Sequence, residues 1–175
     1  MSNFTIIDIP SPNYDNRPPC TIIDLVVIHA ISLPPGKFGT GRVIDLFTNS
    51  LDPDADPYFA GIVGLKVSSH YFIERHGRVI RFVADEKRAW HAGVSHFQGR
   101  DNCNDFSLGI ELEGDDFTPF NEIQYQRLNE LLTSIRVRWP AVTSERIVGH
   151  CHIASRRKSD PGPFFDWSRV GAGFV

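Results

Sequence analysis

The sequence predicts an α/β protein of the α+β kind, in which helices flank a central mixed β-sheet. Residues 22–29 form a nearly continuous apolar run rich in β-branched side chains, which is typical of a strand buried on both faces. Residues 68–83 alternate polar and apolar side chains on either side of a glycine, which indicates a hairpin. Apolar residues at helical spacing between 121 and 139 add a long helix, and this order of elements favours a sheet covered by helices.

The bulk composition is that of an ordinary globular protein. The chain has 175 residues, of which 41% are hydrophobic and 22% charged, so it is long enough for one domain with a core and short for two. We therefore expect a single domain over residues 1–175. A net charge of -3 gives no electrostatic reason to expect nucleic acid or an anionic membrane as a partner.

The first predicted elements are an N-terminal arm, placed at residues 1–20, and the buried strand that follows it. Residues 10–20 hold four prolines and several turn formers, which predicts an extended segment on the surface. The buried strand ends on His29. Beyond it, glycine and proline mark a long loop at 33–42, and residues 43–49 are a short helix candidate. We expect these loops to form a wall of the pocket.

The later elements complete the predicted sheet. The hairpin turns at His76-Gly77, and residues 106–113 are a second buried strand, interrupted by Glu111. Asn121 is placed to cap the long helix, with Gln124 reaching back as in a capping box. Two short elements follow, a strand at 146–149 and a helix at 166–170.

The sequence shows neither an export signal nor a membrane span. The first ten residues lack a basic region, and Asp8 interrupts their one apolar run, which is not the pattern of a signal peptide. No run of about 18 apolar residues occurs. The cysteines Cys20, Cys103 and Cys151 are odd in number and far apart, so a disulfide framework is not expected. A reducing cytoplasm is the expected location.

The polar stretch at 147–163 is a candidate metal site. It places His150 at a strand end and returns Asp160 ten residues later. Zinc binds imidazole and carboxylate readily, and a catalytic zinc has three protein ligands and an open position for water. His29, at another strand end, completes a set of two imidazoles and one carboxylate. A lone histidine is more often packed than a ligand, and the spacing matches no fixed motif. Two neighbours are rival ligands, Cys151 and His152.

Two glutamates and a lysine are candidates for the chemistry. Glu111 and Glu113 share one strand face, and each is either a solvent-facing carboxylate or a general base in apolar surroundings. The depth of Glu111 in the run favours it slightly. Lys158 lies two residues before Asp160, so an extended loop would point both side chains the same way and let Lys158 stabilise an oxyanion. Two neighbouring cations are interpreted as solvated charges, Arg156 and Arg157.

Other histidines and aromatic residues have two interpretations. His70, at a strand start, is expected to be a packed, hydrogen-bonded histidine, and His91 to line the pocket. Tyr58, Phe59 and Trp90 would form an apolar floor for a sugar or peptide, or else belong to the core.

Seven stretches of the chain, several of them long enough to be quite specific, form a recognisable set: Leu25–Gly36, Asp56–Gly61, Val67–His70, Lys87–Gly93, Asn104–Gly114, Gly149–Cys151 and Asp160–Pro163. Together they resemble the AmpD-type N-acetylmuramoyl-L-alanine amidases, cytoplasmic zinc enzymes that share their fold with T7 lysozyme and the peptidoglycan-recognition proteins. The resemblance runs from about Pro10 to Trp167.

The resemblance implies a role for each candidate residue. His29, His150 and Asp160 match the zinc ligands of the family, Glu111 its catalytic acid/base, and Lys158 the lysine that stabilises the transition state. The implied reaction cleaves the amide between the lactyl group of 1,6-anhydro-N-acetylmuramic acid and L-alanine of the stem peptide, in cell-wall recycling. The implied cofactor is Zn2+ and the implied partner an anhydro-muropeptide; we expect a monomer.

Three positions depart from the family pattern. Ala30 stands where the family usually has Asn, Lys66 where Arg is commoner, and Asn102 where an arginine contacts the peptide carboxylate. These departures concern substrate contacts rather than the metal. Lys66 and Arg100 are expected near the cleft, where they would suit an acidic substrate. The alternative functions are a non-catalytic binder of peptidoglycan fragments and a secreted autolysin.

Overall fold

The computed structural model describes residues 5–171. In chain order its strands are β1 (Ile6–Asp8), β2 (Tyr14–Asn16), β3 (Leu25–Ile31), β4 (Tyr71–Ile73), β5 (Val79–Arg81), β6 (Lys87–Ala89), β7 (His96–Phe97), β8 (Arg100–Asp101), β9 (Ser107–Glu113) and β10 (Ile147–Gly149). Its α-helices are α1 (Arg42–Phe47), α2 (Glu122–Arg138) and α3 (His150–Ile153). Single 3-10 turns occupy Phe59–Gly61, Cys103–Asp105, Ser144–Arg146 and Trp167–Arg169.

The central sheet has six strands in the order β1-β5-β4-β9-β3-β10. β4 and β5 pair antiparallel, as the predicted hairpin, whereas the other four pairs are parallel. The predicted mixed sheet is therefore confirmed. The two buried strands inferred from the sequence, β3 and β9, lie side by side at its centre, because their apolar runs suit burial on both faces.

One face of the sheet is covered by α2. Leu128, Leu131, Leu132 and Ile135 of this helix pack against the alternate apolar residues of β3 and β9 in one continuous core. The start of α2 is partly as predicted, since the Gln124 side chain accepts a hydrogen bond from the backbone N–H of Asn121 at 3.0 Å. The Asn121 side chain itself bonds to Arg75.

The opposite face is covered by α1 and by loops. The predicted helix at 43–49 is observed as α1, and its Val43, Leu46 and Phe47 pack with Phe59 on Phe72 and Ile80 of the sheet. The loop before α1, residues 32–41, is called the wall loop here. It is tied to the sheet because Glu113 accepts a hydrogen bond from the backbone N–H of Gly39.

The N-terminal arm is joined to the rest of the fold by strand pairing and by hydrogen bonds. β1 adds a parallel edge strand beside β5, and β2 pairs antiparallel with β6. Arg17 is partly buried, and its guanidinium donates to the backbone carbonyls of Asp85, Asn104, Asp105 and Ser107. The arm is thereby fixed next to the start of β9. A single domain over residues 1–175 stays a prediction.

Between residues 5 and 171, no helix is both long enough and apolar enough to cross a membrane. The three cysteines are free thiols, in agreement with the sequence.

Candidate metal centre and cleft

Strand register places His29 and Glu111 side by side. His29 of β3 pairs with Glu111 of β9, and both side chains leave the sheet on the face away from α2. On the other side of β3, Gly149 is the last residue of β10 and lies opposite Ile28. His150 follows at once, so the sheet itself brings these three residues to one end of its central strands.

The side chains of His29, His150 and Asp160 converge on one point. His29 Nδ1 and His150 Nδ1 are 3.0 Å apart, and each lies 3.1 Å from Asp160 Oδ2. Ligand atoms of a tetrahedral zinc ion with bonds of about 2.0–2.1 Å lie roughly 3.3 Å from one another, so the triangle is close to the size that zinc requires. Among residues 5–171 this is the cluster of histidine, cysteine and acidic groups with metal-site geometry.

The protonation of the three groups also suits a cation. His150 Nε2 donates to the carbonyl of Ala92 at 3.0 Å, which leaves its Nδ1 to face the other two groups. Burial lowers the pKa of His29 to about 4, so the ring is neutral at pH 7. Burial alone would raise the pKa of Asp160, but the two imidazole rings that face it hold it well below its usual range. One carboxylate and two imidazole lone pairs therefore share a site, and such donors fit zinc.

Glu111 is a buried carboxylate with a spare oxygen. Its Oε2 has no hydrogen-bond partner in the described part of the chain. Burial is the larger cause, and the negative charge of nearby Asp160 the smaller one, that raises the pKa of Glu111 well above its ordinary value. Glu113 differs, because its oxygens accept from the backbone N–H groups of Gly39 and Arg75. The interpretation of either residue as solvent-facing is wrong, since their exposed fractions are 8% and 4%. Only Glu111 of the two lines the cleft.

The segment after β10 is a short helix rather than a continued extended chain. α3 starts at His150, the residue that directly follows β10. Neither rival ligand joins the cluster: His152 accepts a hydrogen bond from the backbone N–H of Gly149 and packs on Trp167. Lys158 lines the cleft together with the three converging residues. Arg157 is more than a solvated charge, since it donates to the carbonyls of Ala92 and Val94.

A cleft of about 640 Å³ opens above the cluster. Its lining combines apolar residues from the wall loop, α1 and the segment at 58–67 with the charged residues Asp115, Asp116, Arg157 and Lys158. Of the three aromatic candidates, Tyr58 and Trp90 line this cleft, whereas Phe59 belongs to the core. The cleft thus offers both apolar and charged surface next to the three converging residues.

Comparison with known proteins decides the family. The sequence model described as N-acetylmuramoyl-L-alanine amidase matches residues 17–163. The chain belongs to the N-acetylmuramoyl-L-alanine amidase family. It is 54% identical over 161 residues to the 1,6-anhydro-N-acetylmuramyl-L-alanine amidase AmpD of Haemophilus influenzae, an alignment that spans 92% of this chain and 88% of the relative. This identity makes it an AmpD-type member of the family.

Solved structures of these amidases agree with the fold. A crystal structure of a selenomethionine AmpD derivative superimposes with a TM-score of 0.92 at 51% identity, covering 95% of this chain and 93% of the other. The amidase AmiD of Escherichia coli, solved with the substrate anhydro-N-acetylmuramic acid-L-Ala-D-γ-Glu-L-Lys, gives a TM-score of 0.62 at 30% identity, covering 88% of this chain and 59% of the other.

Two of the three departures from the AmpD-type pattern line cavities that also contain His150 of the cluster. Ala30 lines the cleft itself. Lys66 is expected near the cleft, and it lines a smaller adjoining cavity together with Trp90 and Lys158. The expectation for Arg100 is wrong, because it donates to Asp24 and stacks on Phe106 on another side of this amidase. Its guanidinium is attracted there by a carboxylate and an aromatic face.

One residue of this amidase site has a larger part than the sequence suggested. His91 lines the cleft as expected, but its Nδ1 also lies 2.9 Å from His29 Nε2. The sequence feature that could have indicated this contact is Gly109. A glycine in the interior of a buried strand often marks the close approach of another group. His70 is, as predicted, a packed histidine that accepts from the backbone N–H of Gly109.

Proposed function

We propose that the chain is a zinc-dependent amidase that hydrolyses the amide bond between the lactyl group of 1,6-anhydro-N-acetylmuramic acid and L-alanine of the stem peptide, in cell-wall recycling. The observation that carries the proposal is the triangle of His29, His150 and Asp160 beside Glu111 at the base of the cleft. The likeness to AmpD supports the anhydro-muropeptide as substrate, and so does the AmiD complex.

His29 Nδ1, His150 Nδ1 and Asp160 Oδ2 would hold the zinc ion. When bound there, zinc supplies Lewis-acid chemistry: it lowers the pKa of a water molecule and polarises the scissile carbonyl. The two imidazoles would leave half of the positive charge of the ion uncompensated, because Asp160 is the one anionic group in the set.

Glu111 is proposed as the group that moves the proton. Its partnerless Oε2 and its position opposite His29 in the sheet place an acceptor at the base of the cleft. The pKa of Glu111 is raised toward neutral pH. A carboxylate with such a pKa can take a proton from the attacking water and return it to the leaving amine of L-alanine.

Lys158 and the cleft walls complete the proposed site. Lys158 lines the cleft, where its ammonium would stabilise the negative charge that develops on the carbonyl oxygen. Tyr58 and Trp90 offer aromatic faces suited to a sugar ring. Ala30 and Lys66, which depart from the family pattern, are where we expect substrate preference to differ from that of AmpD.

The test is hydrolysis of purified anhydro-N-acetylmuramyl-tripeptide, followed by chromatography. We expect zinc-loaded protein to release free tripeptide, chelator treatment to stop the release, and added zinc to restore it. The Glu111→Gln variant loaded with zinc is the matched control for a contaminating amidase. Binding of the muropeptide without release by zinc-loaded protein would instead identify a non-catalytic binder and contradict the proposal.

A further inference from the structure

The ring of His91 occupies a space that the sheet leaves open. Gly109 on β9 lies between Ser107 and Glu111 on the strand face away from α2, and a Cβ added to Gly109 would come within 2.5 Å of the His91 ring. The missing side chain therefore lets His91 sit directly on the sheet. From there it contacts His29 at 2.9 Å and Ser107 at 3.2 Å.

Hydrogen-bond donors and acceptors can be assigned along this contact chain from its far end. The Ser107 hydroxyl donates its proton to the carbonyl of Cys103 at 2.6 Å, so toward His91 the Ser107 oxygen can only accept. His91 must then carry a proton on Nε2. Among the described residues the ring nitrogens of His91 meet His29 and Ser107 rather than a carboxylate, so a neutral ring with its one proton on Nε2 accounts for both contacts and its Nδ1 is an acceptor.

The next link fixes the proton on His29. His29 Nε2 faces the acceptor Nδ1 of His91 at 2.9 Å, so Nε2 must donate. The lone pair of His29 is then on Nδ1, the atom that faces His150 Nδ1 and Asp160 Oδ2. We propose that His91 is a positioning residue, which selects the tautomer of His29 and so presents the His29 Nδ1 lone pair to the metal.

The same short segment also orients the second histidine. The carbonyl of Ala92, the residue after His91, accepts from His150 Nε2 at 3.0 Å. The segment is held in turn by Asn104, whose side-chain oxygen accepts from the backbone N–H groups of His91 and Ala92 at 3.1 and 2.8 Å. One clamped dipeptide therefore sets the direction of both imidazoles, and partners of this kind typically change metal affinity 10- to 100-fold.

The inference rests on the proposed zinc site, and its test separates an acceptor from mere packing. His91→Leu removes the acceptor at similar size, whereas His91→Asn keeps an oxygen near the position of Nδ1. His96→Asn is the matched control, because His96 is an exposed histidine on β7 bonded to Asp101. Zinc affinity is measured by competition with a chelating dye, and the thermal unfolding of each apo-variant reports its folding.

We expect His91→Leu to bind zinc about 10- to 100-fold more weakly, His91→Asn to recover most of that loss, and His96→Asn to match the unaltered protein. Nitrogen-15 imidazole spectra of the unaltered apo-protein should show His29 protonated on Nε2. These spectra decide the matter if His91→Leu fails to fold. A His29 proton on Nδ1, unchanged affinity in folded His91→Leu, or equal losses in the Leu and Asn variants would overturn the inference. If the unaltered protein bound no zinc, the proposed function would fail while the tautomer assignment would still stand or fall by the spectra.

Discussion

At the scale of single residues, Asp160 is the anionic member of the converging triangle. Its Oδ2 is 3.1 Å from each of the two Nδ1 atoms, and the proximity of these rings keeps the pKa of Asp160 below its usual range despite its burial. Without it, two uncharged imidazoles would remain, which bind zinc far less tightly than a set of three ligands.

We predict that Asp160→Ala loses most of its bound zinc. Metal content is measured on the purified variant by mass spectrometry of the native protein. Asp116→Asn is the matched control, since Asp116 also lines the cleft but lies outside the triangle. Full zinc occupancy in Asp160→Ala would mean that the ligand set is wrong.

Glu111 is expected to act through protonation rather than through structure. We predict that Glu111→Gln keeps its zinc and its fold but lowers kcat by about 10²- to 10⁴-fold, the usual contribution of general acid–base catalysis. Because the carboxylate form is needed to accept the proton, activity should fall as the pH decreases through the pKa of Glu111.

The acid limb of kcat provides the second measurement on Glu111. Burial places the pKa of this residue well above the ordinary value of 4.5, so the limb should lie above pH 4.5. The pH profile of the residual kcat of Glu111→Gln should lack this acid limb. An acid limb that persisted unchanged in the variant would assign it to another group.

At the scale of elements, the sequence predicts most of what holds the site. β3, β9, the β4–β5 hairpin and α2 are all signalled by apolar patterns, since a strand buried on both faces and an amphipathic helix have distinct periods. Pairing between distant segments has no such local signal. The parallel pairing of β1 with β5, and the support of His29 by His91, depend on which segments meet in space.

The turn from β10 into α3 is a second feature that local sequence does not predict. A run of β-branched residues predicts the strand, yet the chain becomes helical at His150. The Gly149 N–H is bonded by the His152 side chain and the Cys151 N–H by the carbonyl of Asp160. Side chain and distant backbone together satisfy these donors, and local propensity does not reveal this arrangement.

The glycine at the centre of β9 permits a direct test of how the sheet accommodates His91. We predict that Gly109→Ala destabilises the protein by about 1–3 kcal/mol, the usual cost of overpacking a core, and weakens zinc binding by displacing His91. Gly61→Ala is the matched control, because an added Cβ there meets nothing within 4 Å. Urea denaturation and zinc titration measure the two effects, and equal behaviour of both variants would contradict the packing argument.

The N-terminal arm should contribute stability mainly through Arg17. We predict that Arg17→Ala costs about 3 kcal/mol or more, because it leaves several buried carbonyls without a donor. Arg17→Lys should rescue little, since an ammonium lacks the planar fork that reaches these acceptors together. Arg81→Lys, at an exposed ion pair with Asp8 on β1, is the control expected to change stability little. Comparable losses in Arg17→Ala and Arg81→Lys would refute this account.

At the scale of the whole molecule, the sheet separates two kinds of interior. The face under α2 is an apolar core, whereas the opposite face carries four buried groups with displaced pKa values near the cleft. Burial lowers the pKa of His29 to about 4 and of His70 to about 3, and holds that of His91 well below its usual value. The site is thus built from uncharged rings that only a folded chain keeps out of water.

This arrangement predicts that the metal-free protein loses stability as the pH falls below about 6.5. In the unfolded chain the three histidines take up protons near pH 6.5, whereas in the native state they do so only at much lower pH. Glu111 opposes them, because its raised native pKa favours a proton on the folded state. Unfolding therefore takes up at most the three histidine protons, which limits the slope to about 4 kcal/mol per pH unit between roughly pH 6.5 and 4.5.

Urea denaturation in the presence of a chelator, repeated from pH 7.5 to 4.5, measures this slope. His70→Asn should reduce it by about 1.4 kcal/mol per pH unit, since one of the buried rings is gone. His76→Asn should leave it unchanged, because the side chain of His76 is 67% exposed at the hairpin turn. Stability that stayed level or rose on acidification would show that the rings are not held neutral by the fold. Burial against the sheet would then not be the reason why the imidazole nitrogens are unprotonated and able to bind a cation.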